Sequence, residues 1–267
     1  MLRTPCHIIG DAHLGIAPPD AERSLLRYLR ELPDQAQSLV IMGDLFDFWF
    51  AWQHVMPATG YRVLAAIADL TERGIDVLWL GGNHDCWGGD SLARLTGATY
   101  SLEAWTGSIG AWRVHLAHGD GLREREDAKY RRLRRVLRNP LAIRAYGWLH
   151  PDHATRLALA SSKGSRHRRA HDEGRGLMAV AAELVARDPT IELVVHGHSH
   201  VPALKRLGRA VYANAGAWYL DRQFLQLDDD IITRFAWNES GERLEIDRAN
   251  RISEETSTHR EDAVGGV

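Results

Sequence analysis

Five apolar runs recur along the chain, at Ile8-Ile9, Leu39-Val40-Ile41-Met42, Val77-Leu78-Trp79-Leu80, Val114-His115-Leu116 and Leu193-Val194-Val195. Unbroken aliphatic and β-branched runs of this length read as strands buried on both faces. Helical patterns separate several of them. Asp20 to Leu32 puts Leu25, Leu26 and Leu29 on one face, with Pro33 as the stop. A second helix is expected from Pro57 through Val63, Leu64, Ile67 and Leu70, capped by Gly74, and a third over Gly176–Arg187. This alternation predicts an α/β layered fold. Arg209–Asn214, Gln223–Leu227 and Ile231–Trp237 then follow as strands without helices between them, the last two joined by the turn Asp228-Asp229-Asp230. A second, antiparallel-leaning sheet is therefore expected late in the chain. The stretch Gly121–Arg175 breaks the rhythm. It is helical in character, rich in Arg and punctuated by Asn139-Pro140, His150-Pro151 and Gly164, so it reads as an inserted cap of two or three helices. The expectation is one domain over residues 1–252 carrying this insert, followed by a polar tail, 253–267, of disordered composition.

Each apolar run ends in side chains that bind metals. The segments are Gly10-Asp11-Ala12-His13, Gly43-Asp44-Leu45-Phe46-Asp47, Gly82-Asn83-His84-Asp85, Ala117-His118-Gly119-Asp120 and His196-Gly197-His198-Ser199-His200. Ligands in α/β proteins gather beyond the carboxyl ends of strands, so five such ends can converge on one site. Asp11 and His13 alternate along what reads as an extended segment and would share a face, as would His198 and His200. Asp44 has two carboxylate oxygens with which to bridge two ions, Asn83 offers an amide oxygen and His118 an imidazole. Mixed carboxylate, imidazole and amide donors suit Mn²⁺, Fe²⁺ or Zn²⁺. Two ions ~3.5–4 Å apart bind a phosphate, activate water and stabilise the leaving oxygen. His84 is then free for acid or electrostatic catalysis, Asp85 is read as orienting it, and Asp47 as supporting the loop around Asp44. Alone, an Asp after a strand is usually a cap or turn residue, and a lone His such as His7 or His115 a satisfied polar group. Five in order reverse that reading.

Composition narrows the setting. Two cysteines, Cys6 and Cys86, form no disulfide framework. The chain enters its first strand within a few residues and holds no run of the ~20 apolar residues a spanning helix needs. A cytoplasmic protein is expected, touching a membrane at most peripherally on its cytoplasmic face. The formal charge of −2 hides an asymmetry. Leu122–Gly176 carries 15 Lys and Arg against 6 Asp and Glu, which leaves 18 basic and 29 acidic residues elsewhere. An acidic metal core beside a basic insert fits an anionic substrate held against cations.

The ordered set Asp11-x-His13, Gly43-Asp44-x-x-Asp47, Gly82-Asn83-His84-Asp85, His118 and Gly197-His198-x-His200 resembles the calcineurin-like metallophosphoesterases. The resemblance implies a four-layered α/β-β/α sandwich, with one metal held by Asp11, His13, Asp44 and His200 and another by Asp44, Asn83, His118 and His198. A narrower likeness runs through Asp11-Ala12-His13-Leu14-Gly15, Gly43–Trp49, His118-Gly119-Asp120, His196–Pro202 and Ala213–Trp218. It is to the UDP-2,3-diacylglucosamine pyrophosphohydrolases of lipid A synthesis, which insert a helical lid after the fourth motif. That likeness implies hydrolysis of UDP-2,3-diacylglucosamine to UMP and 2,3-diacylglucosamine 1-phosphate. Asp127, Tyr130, Ser162, Lys163 and Arg166 fall where such enzymes hold the sugar phosphate. In two places the chain departs from these members: His84 stands where they carry Arg, and Asp47 where they tend to carry Glu.

Within the insert, Arg131, Arg132, Arg134, Arg135 and Arg138 recur at helical spacing around Leu133, Val136 and Leu137. Such a face is solvated, lies on an anionic membrane surface or contacts substrate phosphate, and the pattern leaves all three open. Leu141, Ile143, Tyr146, Trp148 and Leu149 are expected to pack the lid rather than to line a lipid chamber. A metallophosphodiesterase or phosphatase acting on soluble nucleotides or nucleic acid is the alternative reading. Nucleic acid ranks below a nucleotide-linked lipid, because the acidity outside the insert offers no long phosphate track. An inactive metal-binding scaffold is disfavoured by the complete donor set, and no obligate protein partner is evident.

Overall fold

A computed structural model describes residues 1–166 and 172–252, with the backbone alone at 161–166. The tail at 253–267 lies outside the described residues. All five apolar runs become strands to within a residue or two: β1 (Cys6–Ile9), β2 (Ser38–Ile41), β3 (Asp76–Leu80), β6 (Trp112–Ala117) and β7 (Leu193–His196). β1, β2 and β3 pair in parallel, with β4 (Thr99–Ser101) beyond β3. In a second sheet β6 and β7 pair in parallel, and β7 pairs in parallel with β9 (Ala210–Asn214). The antiparallel edges of that sheet are β5 (Trp105–Ile109) and β8 (Ala203–Leu207).

Burial on both faces explains why these strands read as continuous apolar runs. On one face of the first sheet, Ile9, Leu39, Ile41, Val77 and Trp79 pack with Leu25, Leu29, Leu64 and Ile67 of the covering helices α1 (Pro19–Glu31) and α2 (Tyr61–Glu72). From the other face, Ile8, Val40, Met42, Leu78 and Leu80 meet Val114, Leu116, Leu193, Val195 and Val211 of the second sheet. The second sheet's outer face places Val194 and Tyr212 against Ala181 and Met178. Those last two belong to the long helix after the insert, residues Arg175–Arg187. Helix, sheet, sheet and helix make the four layers expected.

Two expectations need correction. The late strands do not form a separate antiparallel sheet. β10 (Gln223–Leu227), β11 (Ile231–Trp237) and β12 (Arg243–Asn250) continue the first sheet antiparallel from the edge of β1, whereas Ala210–Asn214 joins the second. The reason is burial: Phe224 fills the helix-side core, while Leu225, Leu227 and Ile232 fill the core between sheets. The helix expected from Pro57 begins instead at Tyr61, after Gly60 turns the chain in a left-handed conformation.

The remaining helices are α3 (Gly89–Thr96), three in the insert, namely α4 (Ala128–Leu137), α5 (Pro140–Tyr146) and α6 (Pro151–Arg166), then α7 (Arg175–Arg187) and the short α8 (Trp218–Asp221). Pro140 opens α5 and Pro151 opens α6, as their missing N–H groups favour. Asn139 caps α5 by accepting the Leu141 N–H at 2.8 Å. α6 runs on through Gly164.

Candidate metal centre

The five motif loops leave the carboxyl ends of β1, β2, β3, β6 and β7, and the two parallel groups of strands bring them together. Ligand atoms of Asp11, His13 and His200 lie within 4.8 Å of one another, as do those of Asp44, His118 and His198. Asp44 stands between the two groups. Its Oδ2 is 3.8 Å from His13 Nε2 and 3.3 Å from His118 Nε2. His200 Nε2 approaches Asp11 Oδ1 and His13 Nε2, each at 3.2 Å. His198 and His200 therefore serve different groups.

The two same-face pairs do not arise as the sequence suggests. Asp11 and His13 are not extended: φ is +49° and +45° there, +50° at Asp44, and +63° and +59° at His198 and His200. Left-handed backbone costs a side-chain-bearing residue ~1–2 kcal/mol. Five such residues in one cluster store strain at the site, a pattern typical of functional centres. The loops also approach closely. Gly43 has φ +94°, and a Cβ there would sit 2.6 Å from His118 Nδ1 and 2.7 Å from the Gly82 nitrogen. A Cβ on Gly82 would run into the Asp44 carboxylate. The glycines that open the second and third motifs are thus required by packing.

Each donor uses one end to hold the protein and leaves the other toward the centre. Asp11 Oδ2 accepts the His198 N–H at 3.1 Å, Asp44 Oδ1 accepts the His84 N–H at 2.8 Å, and His118 Nδ1 donates to the Met42 carbonyl at 2.6 Å. The opposite atoms, Asp11 Oδ1, Asp44 Oδ2 and His118 Nε2, are buried without a hydrogen-bond partner, and so is Asn83 Oδ1. Buried polar atoms are rarely left so. Those of Asp11, Asp44 and His118 lie within the two groups and fit cations, with the hydrogen bonds behind them setting ring tautomer and orientation. The electrostatics agree. Burial raises the Asp44 carboxyl, but His118, His84 and His13 outweigh it and hold the group well below its usual range. His118 shows the converse: burial lowers it, and Asp44 and Asp11 bring it up to about 10. The field that keeps a proton on His118 is the field a divalent ion would occupy.

His84 stands beside the cluster, its ring edge-on to His13 at 4.8 Å between centroids. Its Nδ1 donates to the Asp47 carbonyl at 2.8 Å, and Asp47 Oδ1 lies 3.5 Å from that nitrogen and 3.4 Å from His13 Nδ1. Asp47, not Asp85, orients this imidazole. The Asp85 carboxylate accepts the Gly82 N–H at 2.7 Å and the Leu45 N–H at 3.0 Å. Asp85 thereby pins the second and third motif loops to each other, and burial, then Asp44, push it up to about 6. The role expected for Asp85 is corrected on that geometry. Asn214 does similar work behind the fifth motif, donating to the Gly197 carbonyl and to Ser199 Oγ at 3.0 Å each. Its motif was visible in the sequence, its task was not.

The insert is fastened to these same loops. Tyr130 donates to Asp120 Oδ2 at 2.7 Å, and Arg134 to the Asp120 carbonyl at 3.0 Å. Asp127 is buried and does not reach the cluster: Arg123 donates to it through its main-chain N–H and its guanidinium, while also bonding Asp172 at 2.8 Å. Ser162, Lys163 and Arg166 fall in the part of α6 whose side chains lie outside the described residues. The apolar residues of the insert do not all pack as expected. Tyr146 packs against Trp87 and Phe50 with tilted and edge-on rings, centroids 4.6 and 5.1 Å apart, yet Leu141 is 76% exposed and Trp148 84%.

Known proteins are similar to this chain. A UDP-2,3-diacylglucosamine hydrolase of Porphyromonas gingivalis is 31% identical over 221 residues, covering 75% of this chain and 84% of its own. One of Azotobacter vinelandii is 32% identical over 231 residues, covering 83% and 93%. Among solved structures, Vacuolar Protein Sorting 29 of Cryptosporidium parvum aligns with a TM-score of 0.48 at 13% identity, over 93% of this chain and 97% of that one. Residues 4–202 match the calcineurin-like phosphoesterase family and span all five motif loops up to Pro202, so the chain that folds these loops into one donor-lined cavity belongs to that family.

Proposed function

We propose that this protein hydrolyses UDP-2,3-diacylglucosamine to UMP and 2,3-diacylglucosamine 1-phosphate in a metal-dependent reaction. The observation that carries the reading is the run of relatives named for this hydrolase activity across three-quarters or more of the chain. Asp11, His13, Asp44 and His200 would hold one divalent ion, and Asp44, Asn83, His118 and His198 a second, with Mn²⁺ as the preferred metal. Bound there, such ions supply Lewis-acid chemistry, neutralising phosphoryl charge and making a water acidic enough to ionise. The protein's own contribution is placement. Asp44 joins the two groups, and its hydrogen bond from the His84 main chain fixes where that imidazole begins. With Nδ1 bonded to the Asp47 carbonyl, a donation to a phosphoryl oxygen or to the departing group would come from Nε2.

The insert supplies substrate binding in this reading. Asp127, Tyr130, Ser162, Lys163 and Arg166 are the residues proposed to hold the sugar phosphate, Asp127 through the Arg123 cation it positions. Exposed Leu141 and Trp148 beside the Arg-rich α4 suit a peripheral contact with an anionic membrane on its cytoplasmic face. No described helix is long and apolar enough to cross a membrane. Incubating the Mn²⁺-loaded protein with UDP-2,3-diacylglucosamine should release UMP stoichiometrically. Equal turnover of UDP-glucosamine lacking acyl chains, or no UMP at all, would overturn the assignment.

A further inference from the structure

Away from the metal loops, a groove of about 540 Å³ lies between α1, the first turn of α2, Arg222 and the turn that follows β11. Five guanidinium groups line it, those of Arg23, Arg27, Arg30, Arg62 and Arg222, against two carboxylates, Asp20 and Glu239. Both carboxylates are committed to one cation, since Arg222 pairs with Asp20 and with Glu239. Arg27 donates to the Glu239 carbonyl at 2.7 Å, which satisfies a hydrogen bond but leaves its charge uncompensated. The guanidiniums of Arg23, Arg30 and Arg62 have no hydrogen bond or ion pair among the described residues.

Sequence spacing produces this concentration. Arg23, Arg27 and Arg30 follow one another at four and three residues along the solvent face of α1. Like charges at that spacing repel and weaken a helix rather than support it. The floor of the groove is also unsatisfied. Trp237 is 2% exposed and its indole Nε1 has no acceptor, and Ser24 Oγ, one helical turn from Arg27, has no partner either. A buried indole N–H normally finds an acceptor. Donors on every wall, a net positive charge and a buried donor beneath them all ask for an anion rich in acceptor oxygens.

We propose that this groove is a binding site for a polyphosphate anion, one with at least two adjacent phosphoryl groups. The fork geometry of guanidinium matches phosphoryl oxygens in pairs, and three unpaired cations balance the charge of a diphosphate better than the charge of about −2 on a single phosphate. The volume is that of a small-ligand site rather than a lone-ion pocket. Inorganic pyrophosphate and the diphosphate of a nucleotide share this chemistry. The site is separate from the metal centre and does not depend on the reaction assigned there.

Calorimetric titration of the metal-loaded full chain tests it, with inorganic pyrophosphate in one arm, ADP in the other, and metal content assayed before and after. A sub-millimolar site is expected at ~0.15 M salt, weakened at least ~tenfold in the triple variant Arg23→Gln/Arg30→Gln/Arg62→Gln. These side chains bond nothing in the protein and their charges repel, so the variant should melt no lower than the wild type and keep its turnover. Arg62→Gln alone, at the edge of the groove, provides a milder check of the same loss. Trp237→Phe should weaken the site by a smaller factor, and His84→Ala should leave it intact, which separates it from the centre. ADP binding ~tenfold tighter than pyrophosphate would identify a nucleotide site, and equal affinities a site for the phosphates alone. Affinity unchanged in the triple variant, or no site tighter than ~10 mM, would overturn the proposal.

Discussion

Gly43→Ala should strip metal from the centre, and Gly74→Ala should not. Both glycines lie in left-handed backbone, at φ +94° and +83°, so each alanine carries a similar strain of ~1–2 kcal/mol. Only their surroundings differ. Nothing lies within 4 Å of a Cβ at Gly74, whereas at Gly43 it would meet His118 Nδ1 at 2.6 Å and the Gly82 nitrogen at 2.7 Å. Ordinary contact begins at 3.4 Å, so the His118 ring and the third motif loop must retreat by roughly 0.8 Å. Metal–ligand distances tolerate about 0.2 Å. The retreat also breaks the His118 bond to the Met42 carbonyl, and losing one such supporting partner costs ~10–100-fold in metal affinity. Equilibrium dialysis against buffered Mn²⁺ with elemental analysis measures the difference. Both variants should lose a few degrees of melting temperature, but affinity should fall at least ~tenfold in Gly43→Ala alone. Affinities within threefold of each other would refute the claim that this approach shapes the centre.

His84→Ala should retain metal, because the bond to Asp44 comes from the main chain, while turnover falls ~10²–10⁴-fold; joint loss of metal would make His84 structural. Chelation should abolish hydrolysis and lower the melting temperature, with readdition of Mn²⁺ restoring both; activity surviving exhaustive chelation would rule out a metal reaction. His7 should make the fold acid-sensitive. Burial, partly offset by its bond to Gln226, lowers His7 from 6.5 to about 4, so the unfolded chain binds the extra proton between those values. Its contribution is complete above pH 6.5 and drains as pH falls toward 4, by about 2 kcal/mol at pH 5. Urea titrations at pH 7 and 5 should show that loss in the wild type and not in His7→Gln; parallel losses in both would remove His7 as the cause.

The metal centre was legible because its chemistry is local in sequence. Each motif sits within a few residues of a strand end, and parallel pairing of β1, β2 and β3, and of β6 with β7, delivers those ends to one place. What the sequence hid depended on side-chain direction or non-local pairing. Asp85 follows His84, and adjacency suggested a partnership, yet its carboxylate turns to Gly82 and Leu45. Gln223–Leu227 and Ile231–Trp237 were visible as a hairpin, but the edge they join is set by where Phe224 and Leu225 find cover, a question the strand pattern does not pose. The exposure of Trp148 was hidden for the same reason: a helical stripe reports that one face is apolar, not what lies against it.

The attachments of the insert tie its position to that of the metal-site loops. Asp120, next but one to the donor His118, holds Tyr130 and Arg134 of α4. Trp87, just beyond the third motif, donates to the Leu137 carbonyl at the end of α4 at 2.7 Å. Past the second motif, Phe50 packs on Tyr146 of α5, and Trp52 donates to the Leu149 carbonyl at 3.2 Å. Three loops that carry donor atoms thus each carry an anchor for the insert as well. The basic and apolar surface of the insert therefore takes its position from the loops that carry the donors. Under the proposed function, an anion drawn to its arginines would arrive in a frame already referenced to Asp44 and His84, so that a substrate with one reacting phosphate and a large remainder would be oriented by contacts remote from that phosphate.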